Sequence, residues 1–236
     1  MRGNVGLRGM ALLMACLASA GCSQGHFSGK PGMEPEVPRP EQVLDFKTLY
    51  GQNCAACHGE NGSHGATLAL ANPVFLAVAG EANLQPVIAQ GVPGKLMPAF
   101  AKSAGGMLTD QQVAVLAHGI VTTWGKADAV AGIAAPAYSA KEAGNAGEGA
   151  KAYATFCARC HGANGEGAKG VGSVVDAAYL GLVSDQYLRN VVIAGMPDDG
   201  MPDWRGDVAG RAMTEGESTD VVAWLGSHRT AATRAH

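Results

Sequence analysis

Cys54-Ala55-Ala56-Cys57-His58 recurs 103 positions later as Cys157-Ala158-Arg159-Cys160-His161. Two thiols separated by two residues can each form a thioether with one of the two vinyl groups of a single haem. The histidine directly after the second thiol is then placed to ligate the iron, so the pattern reads as c-type haem attachment, made twice. The same thiols allow two other readings. A zinc site wants four converging ligands, whereas these motifs sit in separate repeat units. A thioredoxin-like redox pair needs neither the trailing histidine nor a downstream Met-Pro.

A haem iron with histidine on one side needs a sixth ligand or an open position. Met97-Pro98 lies 39 residues after His58, and Met201-Pro202 lies 40 after His161. A thioether sulfur favours Fe(II), raises the reduction potential and fills the place where oxygen or peroxide would bind. The proline after each methionine restricts its loop. Met196 competes for the second haem, being followed by Pro197, but the repeat aligns it with Val92 and aligns Met201 with Met97. Met107 and Met213 are expected in the core and Met33 in solvent. His64 is expected exposed and His118 at or near a helix surface, neither on iron; His26, His228 and His236 are terminal or linker residues.

These residues must be positioned by elements that also occur twice. Leu44, Phe46, Leu49 and Tyr50 give a helical period leading into Cys54, and Ala150, Tyr153 and Phe156 lead into Cys157. Tyr50 and Tyr153 each stand four residues before their first cysteine, where packing is the expected role. Glycines follow both histidines (Gly59, Gly62; Gly162, Gly165), permitting positive φ and close approach to a flat ligand. Leu108-Thr109-Asp110-Gln111-Gln112 and Met213-Thr214-Glu215-Gly216-Glu217 each open a helix with a capping box. Val113, Leu116 and Ile120 give the first of these helices its apolar face; Val221, Val222 and Leu225 serve the second. From Phe75 and Tyr179 through Met97 and Met201 the copies are offset by 104, one residue having been inserted after the second histidine. The spacing predicts two units of helix, haem loop, helix, Met loop, helix, over residues 45–125 and 145–230, with an Ala/Gly-rich linker at 126–144 and a frayed tail after His228. No strand pattern competes.

The chain has 236 residues, six cysteines, 34 glycines and a net charge of −3. Four cysteines belong to the two motifs, which leaves no structural disulfide for the folded body, and nothing is basic enough for a nucleic-acid partner. Residues 1–21 carry Arg2 and Arg8, then a short apolar run from Met10 to Leu17, then small residues, the pattern of an export signal. Ala18-Ser19-Ala20-Gly21-Cys22 resembles a lipobox, with Ser19 where leucine is commonest; Cys22 is then the lipid-bearing mature N-terminus. Ordinary signal cleavage with an incidental cysteine is the alternative. Residues 22–44, polar and rich in Gly, Pro and Glu, read as a flexible tether.

Over residues 45–228 each half resembles a small class I cytochrome c domain, and the whole is similar to the di-haem, His/Met-ligated periplasmic cytochromes. The resemblance implies an all-α fold of two tandem domains, each wrapped around one covalently attached haem, with the first and last helices of each domain crossing. It implies two haem c groups held by Cys54, Cys57, His58 and Met97, and by Cys157, Cys160, His161 and Met201. Two features depart from the family. A Pro-Leu pair whose carbonyl accepts the histidine's second N–H is replaced by Leu68-Ala69-Leu70 and Gly172-Ser173-Val174, so the acceptor stays unnamed. Gly149 fits the glycine of the helix crossing but Phe46 does not, so a wider first crossing is expected.

The function expected is non-enzymatic electron transfer between respiratory redox partners, from the periplasm or a membrane surface. An electron-transfer subunit of a larger dehydrogenase or oxidase is the alternative; a haem peroxidase fits less well with a methionine in each half. Charges suggest two docking faces. Lys95 and Lys102 flank Met97 without acids, whereas Asp198, Asp199 and Asp203 surround Met201.

Overall fold

The computed structural model describes residues 37–206 and 210–230. The expected export signal, Cys16, Cys22, His26, Met33 and His236 lie outside the described residues. Regular structure among the described residues is helical, apart from three isolated bridge pairs. From Arg39 onward the chain forms one unit.

Apart from the single turns that follow Cys54 and Cys157, each α-helix starts where a side-chain oxygen meets unpaired backbone N–H groups. Asp45 caps α1 (Phe46–Asn53), accepting from Thr48 N at 2.8 Å. Leu44 precedes the cap and is exposed. Cys54 then turns the chain into the single turn α2 (Ala55–His58). Asn72 caps α3 (Pro73–Gln90), which is broken at Gly80, where φ is +61°. Thr109 and Gln112 form the expected capping box of α4 (Asp110–Trp124). The second half repeats the order with α5 (Ala146–Phe156), α6 (Ala158–His161), α7 (Ala177–Leu182), α8 (Asp185–Ala194) and α9 (Glu215–Ser227), the last opened by the Thr214–Glu217 box. Gly80 stands at the register of Ser184, which caps α8, so the kink in α3 is the gap between α7 and α8.

In each half the first helix packs on the last, α1 on α4 and α5 on α9. The apolar faces read from the sequence are buried: Val113, Leu116 and Ile120 in α4, Val221, Val222 and Leu225 in α9. The two halves share a core. A cluster containing Leu49, Leu76, Leu116 and Ile120 of the first half continues into Ile193, Ala194, Trp204 and Met213 of the second. A smaller cluster around Tyr153, Leu180, Leu188 and Val221 belongs to the second half alone. Met213 is buried as expected, but Met107 is 83% exposed. It follows Gly105-Gly106, a turn held against the Phe100 backbone, which directs the next side chain outward.

Segments expected to be loose are tied down. Gln112 donates to the carbonyls of Pro40 and Val43 at 2.8 and 3.0 Å, which docks the end of the expected tether on α4. The linker is clamped by Arg189, whose side chain is 3% exposed. Its guanidinium donates to the Ala137 and Tyr138 carbonyls and to Glu215, and Glu215 accepts from Ala137 N in turn. A buried guanidinium needs its donors filled, and the linker carbonyls fill them. After His228, Arg229 does not fray: it donates to the Leu180 carbonyl at 3.0 Å and pairs with Asp185.

Candidate haem sites

The cysteine–histidine motif occupies one helical turn in each half. Cys54 caps α2, and Cys57 and His58 lie within it; Cys157, Cys160 and His161 repeat this on α6. All four thiols are unbridged. Burial, reinforced by the neighbouring thiol, pushes Cys54 and Cys157 up to about 11, while Cys57 and Cys160 are exposed. Among the described residues no three His, Cys, Asp or Glu side chains converge as a metal cluster, which leaves the zinc reading without its ligands.

His58 Nδ1 lies 2.8 Å from the Leu68 carbonyl. A carbonyl only accepts, so Nδ1 carries the proton and Nε2 is left with its lone pair, the tautomer iron ligation requires. Leu68 therefore supplies the acceptor that the missing proline left unnamed, and a backbone carbonyl needs no particular side chain. Gly172 stands at the same register in the second half. Its carbonyl faces His161 without closing a hydrogen bond, and His161 Nδ1 is buried and unsatisfied. Burial lowers both imidazoles below their ordinary range, with the Leu68 and Gly172 carbonyls opposing it.

Tyr50 and Tyr153 fix the backbone behind each histidine, donating to the Gly59 and Gly162 carbonyls at 2.8 and 2.7 Å. Burial pushes both phenols up to about 12, so they are neutral packing groups, as their position suggested. A tryptophan packs on each: Trp124 edge-on to Tyr50 with centroids 4.9 Å apart, and Trp224 tilted over Tyr153 at 4.1 Å. Gly59 has φ +81°, and a Cβ there would come within 1.8 Å of the Ser63 carbonyl oxygen. The loop after the histidine is thus wound as tightly as glycine permits.

The two methionine loops share one construction. Val92 N donates to the Met97 carbonyl at 2.9 Å; Met196 N donates to the Met201 carbonyl, and Met201 N to that of Met196, both at 3.0 Å. Met196 thus takes the place of Val92, and Met201 that of Met97, as the repeat required. Phe100 and Trp204, each third after its methionine, hydrogen-bond back to the preceding helix through Ile88 and Ile193. Their common register was visible in the sequence but carried no recognised motif. Cys54 and Met97 border the same apolar cluster. Met201 also borders that cluster, whereas Cys157 borders the smaller one.

The loops also cross between halves. Lys95 donates to the Gly181 carbonyl at 2.8 Å, and Asp198 accepts from His64 N at 3.2 Å. His64 is exposed, as expected, and holds φ +57°; His118 is exposed and pairs with Glu81. A cavity of about 280 Å³ lies where the 64–69 loop meets residues 195–199, and Met196 lines it while Met201 does not. Of the expected docking charges, Lys95 is half-buried in a contact between the halves, and Asp198 stays exposed while accepting from His64 N.

In both halves these residues fit a covalently attached haem: paired thiols and a histidine on one turn, a tight glycine loop and a methionine loop, with His58 also held in the tautomer that frees Nε2. The family profile described as "Cytochrome C oxidase, cbb3-type, subunit III" matches residues 41–118 and 144–225. "Cbb3-type cytochrome c oxidase subunit CcoP" of Azospirillum sp. (strain B510) is 28% identical over 153 residues, covering 58% of this chain and 47% of that protein. The chain thus spans about half the length of this curated relative. A chain of the Kuenenia stuttgartiensis reducing HAO-like protein complex Kustc0457/Kustc0458 aligns with a TM-score of 0.45 and 18% identity, over 82% of this chain and 100% of that one. Since the profile matches twice, and each match holds its own Cys-x-x-Cys-His, the chain belongs to the cbb3-type cytochrome c oxidase subunit III family and is a c-type cytochrome of two tandem all-α domains.

Proposed function

We propose that the chain passes single electrons through two covalently bound haem c groups, carrying them between respiratory redox partners. Haem supplies the one-electron iron couple. Cys54, Cys57, Cys157 and Cys160 would form the thioethers, His58 and His161 the fifth bonds, and Met97 and Met201 the sixth. The observation that carries this reading is His58 Nδ1 held on the Leu68 carbonyl, together with a methionine loop closed the same way in both halves, Val92 on Met97 and Met196 on Met201. A methionine at each sixth position leaves no open coordination site, which supports transfer over peroxidase chemistry.

The test is optical. Met97→Ala and Met201→Ala should each remove one methionine–iron charge-transfer band from the oxidised holoprotein, and Met196→Ala should leave both. Ready binding of cyanide or CO to the wild-type protein would contradict the reading. A second reading, a subunit of a larger oxidase, is favoured by the family description and the Azospirillum relative's name. Purification from membranes separates the two: a subunit co-elutes with its oxidase, a carrier does not.

The proposed location is the periplasmic side of a membrane, held by a lipid on Cys22. No helix among the described residues is long and apolar enough to cross a membrane.

A further inference from the structure

Asn72 is 3% exposed and belongs to the first half, yet its side chain is divided between the two. Its Oδ1 accepts from Val74 N and Phe75 N at 2.9 and 3.2 Å, capping α3. That fixes the amide's orientation and turns Nδ2 toward the second half, where it donates to the Ala194 and Gly195 carbonyls at 2.9 and 3.3 Å. Those carbonyls end α8 and open the Met201 loop. Gly195, at φ +68°, is pressed on that loop, since a Cβ there would come within 2.6 Å of the Met201 carbonyl oxygen. The two hydrogen bonds between Met196 and Met201 close the same loop.

We propose that Asn72 is a positioning residue for the second haem's sixth ligand: a first-half side chain holds the backbone from which Met201 is presented. This rests on the reading of Met201 as that ligand. The contact path is short, from the Asn72 amide to the Gly195 carbonyl, and from Gly195 to the Met201 backbone. Four residues before Asn72, the Leu68 carbonyl holds His58, so one loop serves the histidine of one site and the methionine loop of the other. The arrangement runs one way. Asp176, at the register of Asn72 in the second half, is exposed and caps α7 through Tyr179 N; a carboxylate has no N–H to give a carbonyl. Without the Asn72 donor, two carbonyls at the loop's root lose a buried partner, and the loop gains freedom to let Met201 leave the iron.

Asn72→Ser and Asn72→Asp both keep a capping oxygen and lose the amide donor, so the cap and the cross-half bond are tested apart. In the holoprotein each should weaken the charge-transfer band that Met201→Ala removes. Added imidazole should displace methionine from that haem with about fivefold higher apparent affinity, the worth of one ordinary hydrogen bond. The Met97 band and the other haem's imidazole affinity should hold. Both bands and both affinities at wild-type values would overturn the proposal. So would a change confined to the Met97 band, or equal changes at both haems accompanied by a lower melting temperature. If Met201→Ala removes no band, the ligand reading itself falls, and the role of Asn72 with it.

Discussion

The ring of Phe46 lies against Gly119, where any Cβ would come within 2.1 Å of it. In the second half the register reverses: Gly149 stands in the place of Phe46, and Trp224 in the place of Gly119. A Cβ on Gly149 would meet the Asp220 carbonyl oxygen at 2.0 Å. Each crossing therefore has one small partner, on the last helix in the first half and on the first helix in the second. Backbone meets backbone only at Gly149; at Gly119 a ring fills the gap, which is the wider crossing expected from Phe46. Gly149→Ala should destabilise by at least about 2 kcal/mol, since neither backbone can yield cheaply. Gly119→Ala should cost about 1–3 kcal/mol, with part recovered by Phe46→Ala in the double variant. Urea unfolding of the holoproteins measures both; additive single effects at Phe46 and Gly119 would show that the two do not share a contact.

The sequence showed the helices, the capping boxes and the cysteine–histidine–methionine order because these depend on local spacing that the chain states twice. What it concealed depends on backbone atoms and on distant pairs. The acceptor for His58 is the Leu68 carbonyl, and a carbonyl has no residue signature. Asn72 looks like a helix cap in the sequence, and is one, but the donor half of its amide points to residues more than 120 positions away. Lys95 and Asp198 read as free surface charges because nothing local shows that Gly181 and His64 lie opposite them; Asp198 is indeed exposed, but both have a partner in the other half. Met107 read as core because it lies beyond the methionine loop, and a glycine turn sent it outward.

Stability should fall in acid through Glu217. Arg211 hydrogen-bonds its carboxylate, and the Thr214 cap adds to this, holding it at about 2, against 4.5 unperturbed. A depressed carboxylate contributes stability above its unfolded pKa and loses it as pH falls through the folded one. The contribution should be complete above about pH 4.5 and fade toward pH 2. Melting temperatures of the wild type and Glu217→Gln should differ at neutral pH and converge across that window. A constant difference down to pH 2 would refute the assignment.

Cys22 lies outside the described residues, so its role is tested in the cell. No described helix offers another way across a bilayer, and a lipid on Cys22 would supply an anchor of its own. Cys22→Ser should move the protein from the membrane to the soluble periplasmic fraction. Retention in membranes would point to a protein partner as the anchor.

Lys95 is half-buried against Gly181, and Asp198, though exposed, accepts from His64 N; Lys102 in the first half and Asp199 in the second are the other exposed charges beside the methionine loops. Leu96, 79% exposed, gives the first face an apolar centre. Asp203 is held by Arg205 and adds no free charge. If each haem meets its own partner through its methionine loop, Lys102→Glu should slow electron transfer with one partner only. Asp199→Lys should slow it with the other. Both effects should shrink as salt rises, because exposed charges act over roughly a Debye length, about 8–10 Å at moderate ionic strength. Lys95→Glu and Asp198→Lys should instead weaken the contact between the halves, lowering the melting temperature with little salt dependence in the encounter rate. Stopped-flow reaction with the purified partners across an ionic-strength series separates these outcomes. If Lys95 and Asp198 govern the salt-dependent rates while Lys102 and Asp199 do not, the docking faces lie on the internal pairs, and those pairs open in solution.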